Sequence, residues 1–395
     1  MDNRLRRQLI VISMLVFFLG FEAGGFQLVV LYMANEFKLS SAEMGNIISI
    51  QFLAMVVMPL IFGRLADDYG KKPISILSCM LLIIGSLVAS LAGNAIIFAA
   101  AVFIIGTGYS VCEGISMAAV SDACPEKSAG YLNIVQAFFS IGAIISPIAV
   151  DFSITNFKAD WRIVFNVIGV AYSFLIIILF RTEYLVKVFE STETDTKLTP
   201  VRDKFSYLSI MNLSMIGLFG AMFIYVGLEN GIGYYLNSFM TEVSVPKLAA
   251  YCISLFWLSM VISRLIFGFI NFRIQIVIPA CFMIAAGLLL ILSGSAHIII
   301  QFLTCSLIGF VFGPIWPSLI SLATKSNPKY SATISSIMYV SGGLGGTVFA
   351  SFAGWVKEYF SIRVTFSIFG ILSLIGCLIF LICISTSKKA TTINI

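Results

Sequence analysis

The chain has 395 residues, of which 59% are hydrophobic and 11% are charged, and its mean hydropathy is +1.02. Soluble domains carry about 25% charged residues, so this composition excludes a soluble globular protein. The formal net charge of +5 comes from basic residues that are spread among short connections, which excludes a nucleic-acid-binding surface.

The predicted elements are membrane helices, because a helix needs about 20 apolar residues to cross the hydrocarbon core of a bilayer. Twelve apolar runs of this kind predict helices at 8–33, 43–66, 73–93, 95–120, 130–151, 161–181, 208–240, 247–270, 274–294, 296–323, 331–357 and 362–385. The charged stretch 182–207 separates two sets of six. We therefore expect an all-α membrane protein with an N-terminal six-helix bundle at 1–181, a cytoplasmic linker, and a C-terminal six-helix bundle at 208–395.

The distribution of basic residues predicts the orientation. Arg4, Arg6 and Arg7 precede the first apolar run, which is too long for the core of a signal peptide. With the N-terminus in the cytoplasm, 18 of the 24 Lys and Arg residues fall on the cytoplasmic side. This asymmetry predicts a multi-pass protein of the cell membrane with both termini in the cytoplasm.

A charged turn interrupts the apolar sequence between the second and third runs, and from Gly63 to Lys72 it reads GRLADDYGKK. The pattern closely resembles the loop between helices 2 and 3 of the major facilitator superfamily of secondary transporters. On this resemblance, Gly63 permits close helix approach and Asp67 lies near the N-terminus of a neighbouring helix. Gly70, Lys71 and Lys72 complete the conformational motif on the cytoplasmic side.

The two halves of the chain repeat part of a pattern. Gly20–Gly24 and Gly227–Gly231 are similar at an offset of 207 residues. Arg264–Gly268, placed after the eighth predicted helix, resembles a degenerate copy of the charged turn. The superfamily resemblance implies twelve transmembrane helices in two pseudo-symmetric bundles, with a substrate site between them near mid-membrane.

Three acidic residues, Glu22, Glu113 and Glu229, fall well inside predicted helices. Each ionisable side chain in a bilayer costs about 3 kcal/mol or more. No Lys or Arg lies comparably deep, and Arg64, Arg264 and Arg273 are expected near cytoplasmic ends, so salt bridges do not explain these carboxylates. They are either protonated and hydrogen-bonded within the bundle, or they exchange protons in a cavity near neutral pH. The lack of a basic partner predicts a neutral or cationic substrate rather than an anionic one.

The fourth and fifth helices carry GYSVCE, ending at Glu113, and NIVQAFFSIGAII, around Gln136. These segments resemble the proton-coupled fucose permease branch of the superfamily. There a helix-4 glutamate acts in proton coupling and a helix-5 glutamine lies in the sugar pocket. The resemblance implies coupling at Glu113, with Glu22 or Glu229 assisting, and sugar binding at Gln136. The helix-1 carboxylate of that branch aligns with Gln27 instead of Glu22.

A sugar site combines a stacking ring with amide groups that bind hydroxyls. Trp316 lies between Pro314 and Pro317, which would bend the tenth helix and free backbone groups toward a cavity. Gln51 stays open as either a contact between helices or a ligand. The amides that we expect to bind substrate are Gln27, Gln136, Asn230 and Asn237.

These features favour a secondary active transporter, most simply a symporter of a sugar or similar small neutral solute with protons or sodium. We expect it to work as a monomer in the lipid bilayer, without a cofactor or a metal. The alternative is a proton-driven multidrug or metabolite exporter on the same fold. The residue inventory excludes an enzyme, because the single histidine, His297, lies at a predicted turn and no phosphate-binding loop is present.

Overall fold

The structure is a computed structural model that describes residues 3–39, 41–182, 212–243, 249–326 and 328–393. Nearly all of this described chain is α-helical. The helices are α1 (Asn3–Glu36), α2 (Ser41–Tyr69), α3 (Lys71–Leu91), α4 (Ala95–Ala123), α5 (Ser128–Phe157), α6 (Ile163–Arg181), α7 (Leu213–Val243), α8 (Ala249–Phe269), α9 (Ile274–Gly294), α10 (Ile298–Phe312), α11 (Ile315–Ser326), α12 (Ser331–Tyr359) and α13 (Ile362–Ile393). The predicted linker, apart from Thr182, lies outside the described residues.

Eleven segments of the described residues are long and apolar enough to cross a membrane. One of them, Ile298–Ser326, contains both α10 and α11. The apolar part of α8 is shorter, at Leu255–Phe269, and residues 244–248 before α8 lie outside the described residues. With α8 as the twelfth segment, the protein has the predicted fold of two six-helix bundles. The first is α1–α6, and the second is α7–α13, in which α10 and α11 together form one segment.

The two bundles pack their helices in the same order, which is the expected pseudo-symmetry. In the N-terminal bundle α1 packs on α5, α2 on α4, and α3 on α6, and in the C-terminal bundle α7 packs on α12, α8 on α10, and α9 on α13. The α1–α5 contact requires glycine on both sides. A Cβ atom on Gly20 would collide with the carbonyl oxygen of Phe139, and a Cβ atom on Gly142 would collide with that of Phe17. The two backbones therefore touch.

Gly70 alone separates α2 from α3. Its φ of 98° lies in a region that favours glycine, which allows the chain to reverse direction in one residue. Lys72, in the first turn of α3, donates hydrogen bonds to the carbonyl oxygens of Phe180 and Thr182 at 3.3 and 2.9 Å. These bonds join the start of α3 to the end of α6.

Two predicted segments differ from the structure. The charged turn is helical up to Tyr69, so Asp67 belongs to the last turn of α2 rather than to a loop. The predicted helix 296–323 is two helices, because the chain leaves the helical hydrogen-bond pattern at Gly313 and Pro314. Across the interface between the bundles, α2 packs against α12, and α5 packs against α8 and α11. These five helices carry much of the candidate site.

Candidate substrate and coupling site

A cavity of about 170 Å³ lies between the two bundles. Its walls come from α1, α2, α4 and α5 on one side and from α7, α8, α11 and α12 on the other. The polar and aromatic residues of the wall are Glu22, Gln51, Tyr109, Glu113, Gln136, Glu229, Asn230, Trp257, Arg264, Trp316 and Tyr339, with Phe26, Phe52 and Phe139 beside them. The cavity is thus shared by both halves of the chain, as expected from the superfamily resemblance.

Six of the eight residues predicted for coupling or substrate binding line this cavity. The three carboxylates are brought together with Gln136, Asn230 and Trp316, although they come from four different helices and the start of α11. Asn230 donates a hydrogen bond from Nδ2 to the carbonyl oxygen of Val226 at 3.1 Å. Gln27 lies on α1 and Asn237 on α7, but the side chains of both are outside the described residues.

Glu113 and Gln136 form the first glutamate–glutamine pair of the site. The Nε2 atom of Gln136 donates to Oε1 of Glu113 at 2.8 Å and lies 3.6 Å from the Sδ atom of Met117. Both side chains of the pair are buried, with 5% of Glu113 and 2% of Gln136 exposed. The amide orients the carboxyl group toward the cavity, which places the two residues singled out by the fucose permease resemblance in direct contact.

Glu22 and Gln51 form a second pair of the same chemistry. The Nε2 atom of Gln51 donates to Oε1 of Glu22 at 3.1 Å, and Glu22 is 1% exposed. In the part of the chain that the structure describes, Oε2 of Glu22 has no hydrogen-bond partner. Gln51 is therefore both an interhelical contact and a wall residue, so the two alternatives that the sequence left open do not exclude each other.

Arg264 corrects the sequence analysis. It lies within α8, is 3% exposed and reaches the cavity wall, whereas we expected it near a cytoplasmic end. Its Nη2 atom is 3.5 Å from Oε1 of Glu229, so one of the three carboxylates of the cavity has a basic partner. Glu229 also accepts a hydrogen bond from the Tyr225 hydroxyl at 2.8 Å. The argument that excluded anionic substrates for lack of a positive charge is therefore wrong.

Arg264 also connects the two bundles. Its Nη1 atom donates to the carbonyl oxygen of Gln136 at 3.2 Å and to Oγ of Ser140, both on α5. Since Gln136 also holds Glu113 through its side chain, this one residue links the Glu113 carboxyl group to the guanidinium group that pairs with Glu229. The site thus contains a continuous chain of contacts from Glu113 to Glu229.

The break in the tenth segment supplies another partner for Arg264. In a regular helix the carbonyl oxygen of Gly313 would accept from the N–H group four residues later, but residue 317 is proline and has none. The Nε atom of Arg264 donates to this oxygen at 3.3 Å. The prolines therefore free a backbone group, as predicted, and the residue that binds it, Arg264, belongs to the cavity wall. Trp316 beside the break packs edge-on against Tyr339, with ring centroids 4.9 Å apart.

The charged end of α2 binds the start of α12, as the resemblance predicted for Asp67. Its carboxylate accepts from the backbone N–H groups of Ala332 and Thr333 at 3.2 and 2.8 Å and from the Thr333 hydroxyl at 2.6 Å. A carboxylate at a helix N-terminus is stabilised by the unpaired N–H groups and the helix dipole. Gly63 contributes close approach, because a Cβ atom there would collide with the Ser336 side chain.

Further bonds join the helix ends around Asp67. We call this end of the molecule, which contains the end of α2 and the starts of α3, α5 and α12, the charged end. Lys71 pairs with Asp122 at 2.7 Å, and the Ser331 hydroxyl donates to the same carboxylate at 3.0 Å. Ser128 of α5 is hydrogen-bonded to Ser321 of α11. The bundles are therefore joined below the cavity at the charged end. Asp122 and Ser331 were missed because polar residues near helix ends are common and carry no distinctive spacing.

Comparisons with known proteins agree with this architecture. The sequence pattern of the Major Facilitator Superfamily matches residues 10–350. The glucose/mannose transporter GlcP of Bacillus subtilis is 21% identical over 352 residues, covering 87% of this chain and 86% of GlcP. The fucose:proton symporter FucP of E. coli superposes with a TM-score of 0.78 at 19% identity, covering 95% of this chain and 98% of FucP.

A partial similarity points to a different class of transporter. The multidrug resistance protein MdtL of Shewanella is 29% identical over 116 residues, which is 29% of this chain and 29% of MdtL. The match covers less than a third of either protein, so it carries less of the fold than the comparison with GlcP.

Proposed function

The chain belongs to the major facilitator superfamily of membrane transporters, and from this premise we propose that it is a proton-coupled symporter of a sugar or similar small neutral solute. The observation that carries the proposal is the cavity between the bundles, where two amide–carboxyl pairs, a tryptophan and an ion pair meet. Aromatic rings and amides suit the apolar faces and hydroxyl groups of a sugar. The similarity to GlcP, which covers 87% of this chain, supports the same substrate class.

In this proposal Glu113 carries the coupling proton. Once a cavity closes around a carboxylate, the charged form has no water to solvate it, and a buried ion without a counter-ion is costly. Closure around Glu113 is therefore compatible with its neutral form, and release of the proton requires a state open to water. The rearrangement of the bundles thereby becomes linked to proton binding.

Arg264 would transmit the state of Glu113 to the other bundle. The Gln136 side chain holds Glu113, and the Gln136 carbonyl oxygen accepts from Arg264. A new proton on Glu113 changes the hydrogen bonds available to the Gln136 amide, and any shift of that turn of α5 acts on the guanidinium group. We give Glu229 the role of counter-ion to Arg264 in this network.

A neutral substrate remains our proposal even though the site contains a guanidinium group. Arg264 makes polar contacts with Glu229, Gln136, Ser140 and Gly313. Its positive charge is therefore already paired with Glu229 and does not require an anionic substrate. Gln136, Asn230 and Trp316 are our proposed contacts for the solute, and Gln27 and Asn237 keep that proposed role from the sequence.

We also propose that both termini lie in the cytoplasm and that the protein acts as a monomer. The charged end would then face the cytoplasm and be closed there by the Asp67 and Asp122 contacts, so the cavity would open toward the opposite side. Gly63, Asp67, Gly70, Lys71 and Lys72 would control the opening of the charged end.

Transport by purified protein in liposomes tests the proposal. A pH gradient should drive accumulation of the solute by wild type, and Glu113→Gln should abolish accumulation while counterflow exchange continues. Glu242→Gln removes an exposed glutamate that pairs with Lys357 and serves as the matched control. Accumulation that follows a sodium gradient instead would overturn proton coupling, and accumulation by Glu113→Gln would overturn the assignment of Glu113.

The second candidate is a proton-driven exporter of lipophilic cations. It is favoured by the aromatic wall around Glu22, which includes Phe26 and Phe52, and by the partial similarity to MdtL. The two functions differ in the direction of flux relative to the proton gradient. An inside-acidic vesicle that takes up a fluorescent organic cation, but no sugar, would favour the exporter.

A further inference from the structure

We propose that Glu22 and Gln51 form a ligand-binding subsite that accepts hydrogen bonds from a hydroxyl or amino group of the transported solute. The inference rests on the proposed function in one respect, which is that the solute occupies the cavity between the bundles. It assigns Glu22 to ligand recognition rather than to the assisting role in coupling expected from the sequence.

The pair presents acceptors to the cavity. Gln51 uses a donor of its amide to bind Oε1 of Glu22. This bond leaves the amide oxygen of Gln51 and Oε2 of Glu22 as the acceptors of the pair. Oε2 can accept in either protonation state, because a protonated carboxyl oxygen keeps a lone pair. Among the described residues, Oε2 has no hydrogen-bond partner although Glu22 is 1% exposed. An unsatisfied buried carboxylate oxygen on a cavity wall calls for a donor that enters from the cavity.

The backbone holds both residues in place. On α1, a Cβ atom on Gly20 or Gly24 would collide with the carbonyl oxygen of Phe139 or Ala143, so α1 lies against the α5 backbone on either side of Glu22. A Cβ atom on Gly106 of α4 would lie 2.7 Å from the carbonyl oxygen of Gln51. Because close backbone contacts fix both helices, the acceptors are positioned before a ligand arrives, which favours binding.

The contacts of the pair set it apart from Glu113. Arg264, the basic residue of the cavity wall, is bonded to Glu229 and to α5. The hydrogen bonds found for Glu22 and Gln51 in the described part of the chain stay between α1 and α2. A change of protonation at Glu22 therefore has no described bonded path to the C-terminal bundle. A ligand donor is the partner that this geometry lacks.

The shared ligand chemistry is an O–H or N–H donor next to an apolar face, since Phe26 and Phe52 lie on the wall beside the pair. Two kinds of solute carry it, namely a polyhydroxylated neutral molecule and a protonated amine. The test must separate these sources, and it must separate a donor requirement from a simple attraction for positive charge.

The experiment measures binding by thermal stabilisation and titration calorimetry, using full-length protein in detergent at fixed pH. One set of probes is D-glucose with its monodeoxy and mono-O-methyl derivatives. The other is a series of alkylamines with their quaternary, fully N-methylated counterparts, which keep the charge but lose every N–H donor. The variants are Glu22→Gln and Gln51→Leu, with Gln51→Asn as a milder change and Glu43→Gln as a control on the exposed surface.

We expect Glu22→Gln and Gln51→Leu to weaken binding of the wild-type ligand at least about tenfold. The derivative that lacks the critical donor should bind the wild type and the variants equally, because the lost bond is then already absent. A hydroxyl effect identifies a neutral solute, and an N–H effect identifies an amine. Unfolding without ligand reports whether each variant is folded, and Gln51→Asn replaces Gln51→Leu if the latter is not.

Three results would overturn the inference. The first is unchanged affinity in Glu22→Gln for every probe that binds. The second is equal binding of an amine and its quaternary counterpart, which would mean that the subsite recognises charge. The third is that no probe of either series stabilises the wild type. Failure of proton coupling in the Glu113 experiment would leave these binding results unaffected, so the two proposals fail separately.

Discussion

The two glutamate–glutamine pairs of the cavity have the same chemistry but different connections. Glu22–Gln51 links α1 to α2, and Glu113–Gln136 links α4 to α5, with donor–acceptor distances of 3.1 and 2.8 Å. The second pair continues through the Gln136 backbone to Arg264 in the other bundle. Our proposals give binding to the first pair and coupling to the second because only the second pair is bonded, through its supporting helix, to the other bundle.

The facing helices explain this difference. Where α2 crosses the interface it meets glycines of α12, and a Cβ atom on Gly343 would lie 3.2 Å from Val56. Glycine offers no side chain that could bond to Gln51. The α5 helix instead meets α8, which presents Arg264. In our proposal the pair on α2 is therefore available to the ligand, whereas the pair on α5 is bonded to the opposite bundle.

Removing the link between the bundles should have the largest effect. Arg264→Gln leaves Glu229, whose side chain is 14% exposed, without its cation. An ion that loses its partner inside a protein typically costs about 3–5 kcal/mol. We expect a strongly lowered unfolding temperature and no transport. Arg264→Gln combined with Glu229→Gln should recover much of the stability but none of the coupling. Equal unfolding temperatures for wild type and the single variant would contradict the ion pair.

Replacing one carboxyl group at a time should distinguish the roles of the two pairs. One pH unit is worth about 1.4 kcal/mol, so it supports up to about a tenfold solute gradient per proton. We expect Glu113→Gln to reduce this gradient to none, while Glu22→Gln keeps the ratio at saturating solute and raises the concentration needed for half-maximal uptake. Steady-state uptake in liposomes at several gradients measures both quantities. Loss of the gradient in Glu22→Gln would mean that both pairs couple.

Weakening the charged end should have a smaller effect, because it changes the population of states rather than the site. Asp67→Asn removes charge from hydrogen bonds worth about 1.5–3 kcal/mol each, so the ratio of closed to open molecules should fall about tenfold or more. Ser128→Cys places a thiol at the buried contact with Ser321, and the eight native cysteines are buried. Alkylation of that thiol should accelerate in the Asp67→Asn variant.

The neighbouring Asp68 provides the control for this experiment. Its side chain is 44% exposed and pairs with Arg64 at 2.9 Å within α2. Asp68→Asn should leave the alkylation rate nearly unchanged, since exposed ion pairs contribute little. If both variants accelerate alkylation equally, the faster reaction is caused by the loss of a negative charge and not by the loss of the contact with α12.

The smallest effect is expected for an exposed carboxylate on α1, Glu36. Arg162 hydrogen-bonds to Glu36 at 2.6 Å, which lowers the pKa of that carboxyl group. A lowered pKa contributes stability above the unfolded-state pKa, and this contribution is lost as pH falls through the folded-state pKa. Glu36→Gln should cost at most about 1 kcal/mol at pH 7, because the Glu36 side chain is 43% exposed. Unfolding at pH 7 and in acid measures the difference, which should vanish in acid.

Sequence reasoning recovered the fold and much of the cavity because both follow from strong local signals. Long apolar runs give the helices, and buried glutamates such as Glu22 and Glu113 are too costly to be incidental. The flanking prolines correctly predicted the broken segment at Trp316. The linker, the orientation and the functional roles of these residues stay predictions.

Arg264 could not be placed because its position depends on groups far apart in sequence. It lies five residues from the end of α8, which suggested a site at the membrane surface. Long helical side chains point back toward the N-terminus of their helix, and in α8 that direction leads to the cavity. Its acceptors, on Gln136, Ser140 and Gly313, come from two other segments. A pattern read along one helix cannot reveal such a meeting.

The one-residue connection at Gly70 has a consequence for how the protein must move. Only one residue connects α2 to α3, and Lys72 is hydrogen-bonded to the end of α6. The charged end therefore cannot open by separating one helix at a time. We therefore expect it to move as one rigid unit, so that its contacts with α12 break together or stay intact together. Such a connection favours switching between two discrete conformations over gradual opening of the cavity.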